Sequence, residues 1–232
     1  MAKETSRRVA DDSPKSAANF IRRSSQAVRA RREGVGAHRS ERLALIEWAE
    51  LLGKRLPFSH VEKFRRVAEG AEHVVFHDLE RALAVKATHV NRFGHSVYGE
   101  GAQATPVEYL RRLGWHNLLF GDDIRIEGVA FDEEQIQVFT SQPWITAHRE
   151  FPLPAQTEID EFFAQIGFRK FMFAPDVPLY FRPEMGLLVA DAHDRNVLRS
   201  ESGRLVPIDV VIGKPGPDLL RRILAQLRTT EG

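Results

Sequence analysis

Val189-Ala190-Asp191-Ala192-His193-Asp194-Arg195-Asn196-Val197-Leu198, followed by Leu205-Val206-Pro207-Ile208-Asp209-Val210-Val211, is the stretch on which the fold is decided. Gly186 to Val189 and Leu205 to Ile208 have the texture of short strands on either side of the turn signal Ser202-Gly203, with Val197-Leu198 as the first hairpin strand. Asn196 stands just before that strand, and Asp209 follows the last apolar residue of the second. A hairpin returns its two ends to one mouth, so an amide and a carboxylate converge there. Hard oxygen ligands close together suit Mg²⁺, which takes one or two protein oxygens and completes its shell with phosphate and water. Asp191, five residues upstream on the same loop, can face that mouth as a proton acceptor or orienter. A fourth polar position, Lys86, ends the apolar run Ala82-Leu83-Ala84-Val85, where a charge is costly unless it meets an anion.

Around this segment the 232-residue chain has the composition of a folded protein, since 43% hydrophobic and 9% aromatic residues exclude wholesale disorder. The lack of cysteine excludes a disulfide scaffold, a zinc ribbon and thiol catalysis. No apolar run approaches the roughly 18 residues of a membrane helix, and the N-terminus lacks a signal peptide's apolar middle. A soluble cytoplasmic protein with no membrane partner is expected. The net charge of +1 hides an asymmetry: residues 1–42 carry 11 Lys/Arg against five acids, a net +6, and the other 190 residues are net −5. Residues 1–39, poor in large apolar side chains, are expected to form a basic, flexible arm. Such an arm is either a solvated tail or a weak contact for nucleic acid through charge alone.

The remaining elements follow from periodicity and punctuation. Ser40 to Arg55 predicts a helix capped by Ser40, with Leu43, Ile46, Leu51 and Leu52 as its apolar stripe and Pro57 as its end. Val67 to Thr88 predicts short strands, Val74-Val75-Phe76 and Ala82 to Lys86, around a turn at His77-Asp78-Leu79-Glu80. Asn91 to Gln103, with Gly94, Gly99 and Gly101, predicts a loop. Thr105-Pro106-Val107-Glu108 is a helix start with a Thr cap and Pro at the first helical position, and Gly114 is its expected stop. Ile124 to Phe131 and Gln135 to Phe139 predict an antiparallel pair across Asp132-Glu133-Glu134. A further helix starts near Thr157, and Pro217 to Arg228 predicts a short amphipathic helix. A strand-rich first half followed by a helix-rich half with a small hairpin predicts an α+β chain in two lobes. The expected division is a helical extension over 40–66, an N-lobe over 67–143 and a C-lobe over 144–232.

Asp191 with Asn196 five residues on, then Asp209 thirteen further, resembles the catalytic loop and metal-binding Asp of the protein-kinase-like superfamily. Ala84-Val85-Lys86 resembles the phosphate-binding lysine motif on its third strand. His193, and the missing His-Arg before Asp191, resemble the aminoglycoside-phosphotransferase branch. Gly70-Ala71-Glu72-His73, Ala104 to Tyr109, Leu119-Phe120-Gly121-Asp122-Asp123 and Thr140-Ser141-Gln142-Pro143 are similar to the small kinase domains of phage and mobile-element polyvalent proteins. The resemblance spans about Val67 to Gly213. It implies a two-lobed protein-kinase-like fold, ATP and Mg²⁺ as ligands, and phosphotransfer to a hydroxyl of a protein or small molecule. By the same resemblance Lys86 holds the α/β-phosphates, Glu108 pairs with Lys86, and Asp191 orients the acceptor. Asn196 and Asp209 hold Mg²⁺, and His193 touches the transferred phosphate. Val75, Ala84, Ile208 and Leu198 enclose the adenine, Ser141, Gln142 and Pro143 form a hinge, and Gly70 marks the phosphate-covering loop.

The chain departs from that pattern in three places. Gly70 stands alone where three glycines are usual, Val210-Val211 replaces Phe-Gly after Asp209, and only 23 residues follow Asp209. A reduced C-terminal lobe is therefore expected. Glu108 is also the N3 residue of a capping box, where its second reading is to bond the Thr105 backbone, with Glu100 as the other candidate partner for Lys86. His193 has a second reading as a structural loop histidine. Asp191-Ala192-His193 matches the opening of two-metal phosphoesterases, but Gly121-Asp122 precedes it and no Asn-His pair follows. The function alternative is a catalytically inactive nucleotide-binding interaction module with a basic arm.

Overall fold

The computed structural model describes residues 12–31, 36–97, 103–175 and 177–230. Two helices come first, α1 (Pro14–Arg31) and α2 (Ala37–Leu51). Ala17, Ala18, Ile21 and Ser25 recur on one face of α1 and are buried, the first three in a core shared with Ala44, Leu45, Trp48 and Ala49 of α2. The expected flexible arm is corrected for residues 14–31, because small alanines bury surface by letting helices approach closely. Arg22 and Arg23 remain exposed on the opposite side.

α2 also differs from its expected form. Ser40 lies one turn inside the helix, buried, and its hydroxyl donates to the Ala37 carbonyl at 2.8 Å instead of capping. The buried face is Ala44, Leu45, Trp48 and Ala49, while Leu43 and Leu51 of the expected stripe are 43% and 66% exposed. Gly53, at φ +63°, turns the chain before Pro57 is reached.

After a 3-10 turn at Phe58–Val61 come β1 (Arg65–Glu69), β2 (His73–Asp78), β3 (Leu83–Thr88), α3 (Pro106–Phe120), β4 (Arg125–Phe131) and β5 (Ile136–Pro143). The five strands form one antiparallel sheet in the order β1-β2-β3-β5-β4. Asp132 makes the β4–β5 turn by accepting from Glu134 N at 2.9 Å and Gln135 N at 2.7 Å. Val85, Ala87 and Phe139 pack one sheet face against Val61, Phe58 and Phe64. Strand alternation then puts Ala84 and Lys86 on the other face, with their register partners Val75, Thr140 and Gln142. At the β4 bulge, Gly128 lies against the Lys54 carbonyl and the Leu56 side chain, and a Cβ would overlap both.

The Thr105 cap and the Glu108 capping box are present, with Glu41 of α2 accepting from Val107 N at 3.1 Å at the same helix start. The helix does not stop at Gly114. It continues to Phe120 and ends at Gly121, φ +67°, because Gly114 is where the backbone of Lys15 crosses, 3.5 Å from the place a Cβ would take. That extra turn and a half carries Trp115, Leu119 and Phe120 into the core of the second half, so α3 links the two lobes.

The second half holds α4 (Gln156–Gln165), β6 (Arg169–Ala174), β7 (Val177–Arg182), β8 (Leu187–Ala190), β9 (Val197–Arg199), β10 (Leu205–Pro207), β11 (Val211–Gly213) and α5 (Pro217–Thr230). It is not helix-rich as expected. An antiparallel sheet, β11-β8-β7-β6, carries α4 on one face and α5 on the other, and β9–β10 is a separate ribbon. Leu179, Phe181 and Leu188 face Ile223 of α5, whereas Tyr180 and Val189 face Ile159 and Phe163 of α4. Strands covered on both sides show no polar alternation, which is why periodicity revealed β8 as a short apolar run but not β6 and β7. The fold is α+β with a small C-terminal lobe.

Candidate functional site

The hairpin mouth forms as the local sequence dictates. Val197 pairs with Pro207, and one step further the Asn196 carbonyl accepts from Ile208 N at 2.8 Å and Asp209 N at 3.4 Å. Lys86 reaches this mouth from β3, donating to the Ile208 carbonyl at 2.6 Å and to Asp209 Oδ1 at 3.2 Å. On the other side of the hairpin, the Asn196 amide donates to the Asp191 carbonyl and to Asp191 Oδ2, both at 2.8 Å. Four polar residues thus form one connected run, Asp191, Asn196, Asp209 and Lys86, in which the Asn196–Asp209 link is made by the backbone.

Asp191 has φ +58°, a left-handed conformation that Asp tolerates better than most residues, and its side chain is 56% exposed. His193 Nδ1 accepts from Arg195 N at 3.2 Å, and its Nε2 lies 3.3 Å from both Asp191 Oδ1 and Asn196 Nδ2. His193 thus packs against both residues of the loop.

Asp209 is held by more than Lys86. Its Oδ1 lies 3.7 Å from Nδ1 of buried His73, whose Nε2 meets the Tyr109 hydroxyl at 3.0 Å. Burial by itself raises the Asp209 pKa, but the Lys86 charge and the His73 contact outweigh it and keep the carboxyl well below its ordinary 3.8. Burial lowers the pKa of His73. Lys86, Asp209, His73, Gln142, Arg112 and His116 border a narrow cleft between the first sheet, α3 and the hairpin, with about 10 Å³ of enclosed space, room for one water.

Other expected residues fall elsewhere. Glu108 does not reach Lys86: its Oε2 accepts from Thr105 N at 2.8 Å, the capping reading of that residue. Glu100 lies outside the described residues. Gly70 spends its N–H on the His73 carbonyl and its carbonyl on His89 Nε2, both at 2.8 Å, closing the β1–β2 turn. Ser141, Gln142 and Pro143 are the end of β5, laddered to β3, not a separate linker. The Gln142 side chain faces the cleft, while Ser141 turns to Glu127 on the other face. Val75 and Ala84 lie on the Lys86 face but do not line the cleft, and neither does Leu198.

The sequence reading missed Glu72, Arg112 and His116. Tyr109, Arg112 and His116 recur three and four residues apart on α3, a polar stripe inside an otherwise apolar face, and that spacing was the available signal. Arg112 forks onto Glu72 in a buried pair. Burial opposes ionisation of Glu72, yet the Arg112 charge and hydrogen bonds bring its pKa below the ordinary 4.5. His116 is buried with Nδ1 3.3 Å from Asp122 Oδ2, and burial lowers its pKa below 6.5.

These shifts and that of His73 fix a pH dependence. The unfolded chain binds protons more readily at each group, so each contributes stability that is full above the ordinary value and lost as pH falls through it. The melting midpoint is expected to decline below pH about 6.5 through His116 and His73 together, and further below about 4.5 through Glu72. His116→Gln should flatten the first decline in part, and an unchanged slope in that variant would contradict the assignment.

The donor set suits a hard cation. Asn196 Oδ1 and Asp209 Oδ2 take part in no hydrogen bond or ion pair among the described residues. Glu72, His73 and Asp209 also bring polar atoms within 4.8 Å of one another, but Arg112 already occupies both Glu72 oxygens. The Asn196 and Asp209 oxygens fit Mg²⁺ better.

A family model described as a Serine/Threonine/Tyrosine Kinase found in polyvalent proteins matches residues 38–213. No curated protein and no solved structure matches the chain.

Proposed function

From the premise that the chain belongs to the serine/threonine/tyrosine kinase family of polyvalent proteins, we propose that it transfers the γ-phosphoryl group of Mg-ATP to a hydroxyl of a protein or small molecule. The observation that carries this reading is the hydrogen-bonded run from Asp191 through Asn196 to Asp209 and Lys86. Lys86 anchors the phosphates. Asn196 Oδ1 and Asp209 hold Mg²⁺, which when bound neutralises charge on the phosphate oxygens. The acceptor oxygen forms the new bond to phosphorus as the bond to the β-phosphate oxygen breaks, releasing ADP. The acceptor proton passes to the Asp191 carboxylate, against which His193 packs. Val75 and Ala84 on the sheet face and Ile208 and Leu198 on the hairpin side take the adenine, with its edge toward Gln142 and Pro143. Lys15, Arg22, Arg23 and Arg39 are exposed basic residues of the N-terminal segment through which it would attract nucleic acid. Among the described residues no helix is long and apolar enough to cross a membrane.

The first test is thermal melting. At a hundredfold excess over its Kd a ligand adds about 2.7 kcal/mol, so Mg-ATP should raise the midpoint by roughly 5–10 °C. No shift overturns the proposal. The commitment of Glu108 to Thr105 favours a second reading, an inactive nucleotide-binding module. A shift without any turnover of ATP would select it.

A further inference from the structure

The cleft beside Asp209 carries more positive charge than Lys86 alone supplies. Arg112 also lines it, from α3, beside the rings of His73 and His116, which burial favours in their neutral form. The Arg112 side chain is 5% exposed, and it donates from one edge to Glu72, Nη1 to Oε1 at 2.8 Å and Nη2 to Oε2. A guanidinium has five N–H groups in a planar fork. The other three make no hydrogen bond among the described residues, and the group borders the cleft.

Glu72 is itself fixed on a second side. Its Oε1 accepts from His95 N at 2.6 Å, and Gly94, at φ +75°, leaves the space its carboxylate fills, since a Cβ there would come within 2.8 Å. The β1–β2 turn, the 94–95 segment and α3 thus lock one edge of the guanidinium and leave the rest of it toward the cleft. A second acid at this place would have repelled phosphate. A buried, oriented arginine attracts it through a bidentate-capable edge.

We infer that Arg112 is a second cationic contact for the phosphates of a bound nucleotide, with Glu72 as its positioning residue. The inference rests on the nucleotide-binding reading of the cleft. It puts an arginine on α3 in the place where the resemblance led to a carboxylate partner for Lys86.

The experiment is calorimetric titration with Mg-ATP and with adenosine. Removing Arg112 alone strands the Glu72 charge, so the principal variant is the double amide, Glu72→Gln with Arg112→Gln. Its ATP affinity is expected to fall roughly 10–100-fold, the value of hydrogen bonds to a charged group, with adenosine affinity changed less than about twofold. Glu72→Gln alone keeps the guanidinium and one acceptor for it, and should weaken ATP binding by clearly less than the double variant. Equal loss for ATP and adenosine in the double variant, or no loss for either, overturns the inference. So does a loss in Glu72→Gln as large as in the double variant. Should the double variant not fold, Arg112→Lys is measured instead, with about a tenfold loss for ATP alone expected. A wild-type protein that binds no ATP overturns the nucleotide reading itself, a result distinct from all of these.

Discussion

Asp191→Asn is expected to lower turnover by about 10²–10⁴-fold and to leave the Mg-ATP-induced rise in melting midpoint intact. The substitution is close to isosteric, and Asn tolerates the left-handed backbone at this position as well as Asp does. Its amide oxygen can still accept from the Asn196 amide at the place Asp191 Oδ2 now occupies. What is lost is the charge that takes the acceptor's proton, beside His193 Nε2. Asp191 lies outside the cleft that Lys86 and Asp209 line, so nucleotide affinity should not move. Steady-state ATP consumption and the melting shift, measured on the same preparation, check both halves. Undiminished turnover in this variant would remove Asp191 from the chemistry.

Asp209→Asn is expected to be worse in every readout. It takes the negative charge from the proposed metal ligand and leaves the Lys86 ammonium, whose side chain is 11% exposed, with neutral oxygens alone, the amide and the Ile208 carbonyl. Breaking a fully buried ion pair costs about 3–5 kcal/mol; with the Asp209 side chain 37% exposed, solvent screening reduces this to about 1–2 kcal/mol. For a chain of this size that lowers the melting midpoint by roughly 2–8 °C. The Mg-ATP shift should vanish as well. A variant that melts lower but keeps a full shift would show Asp209 to be a structural partner of Lys86 and no ligand of the metal.

The contrast between these two residues follows from how the chain is built, and much of that was readable in advance. The mouth of the β9–β10 hairpin was legible because a hairpin needs only its turn and two short apolar runs to return its ends together. Asn196 and Asp209 then meet whatever surrounds them. The Asp132 turn and the Thr105 cap were legible for the same reason: the side chains that make them act within three residues. Misreadings arose where tertiary packing overrides local preference. Gly114 stays helical because α1 passes over it, and Ser40 is buried because α2 begins a turn earlier. β6 and β7 were hidden by burial on both faces, whereas β8 was read from Gly186 to Val189. The Glu72–Arg112 pair joins residues 40 apart across a turn and a helix, and no local spacing announces such a contact. Glu108 shows the reverse case, since the local capping interaction won over the long-range one expected of it.

The central claim is that Lys86, Asn196 and Asp209 converge on one metal-bound triphosphate. A crystal structure with Mn²⁺ and a non-hydrolysable ATP analogue, read from the manganese anomalous signal, tests it most directly. The expected result is a peak between Asn196 Oδ1 and the Asp209 carboxylate, with the phosphates beside the Lys86 ammonium. A nucleotide bound elsewhere, or a peak away from both oxygens while Lys86 stays closed on Asp209, would contradict the account.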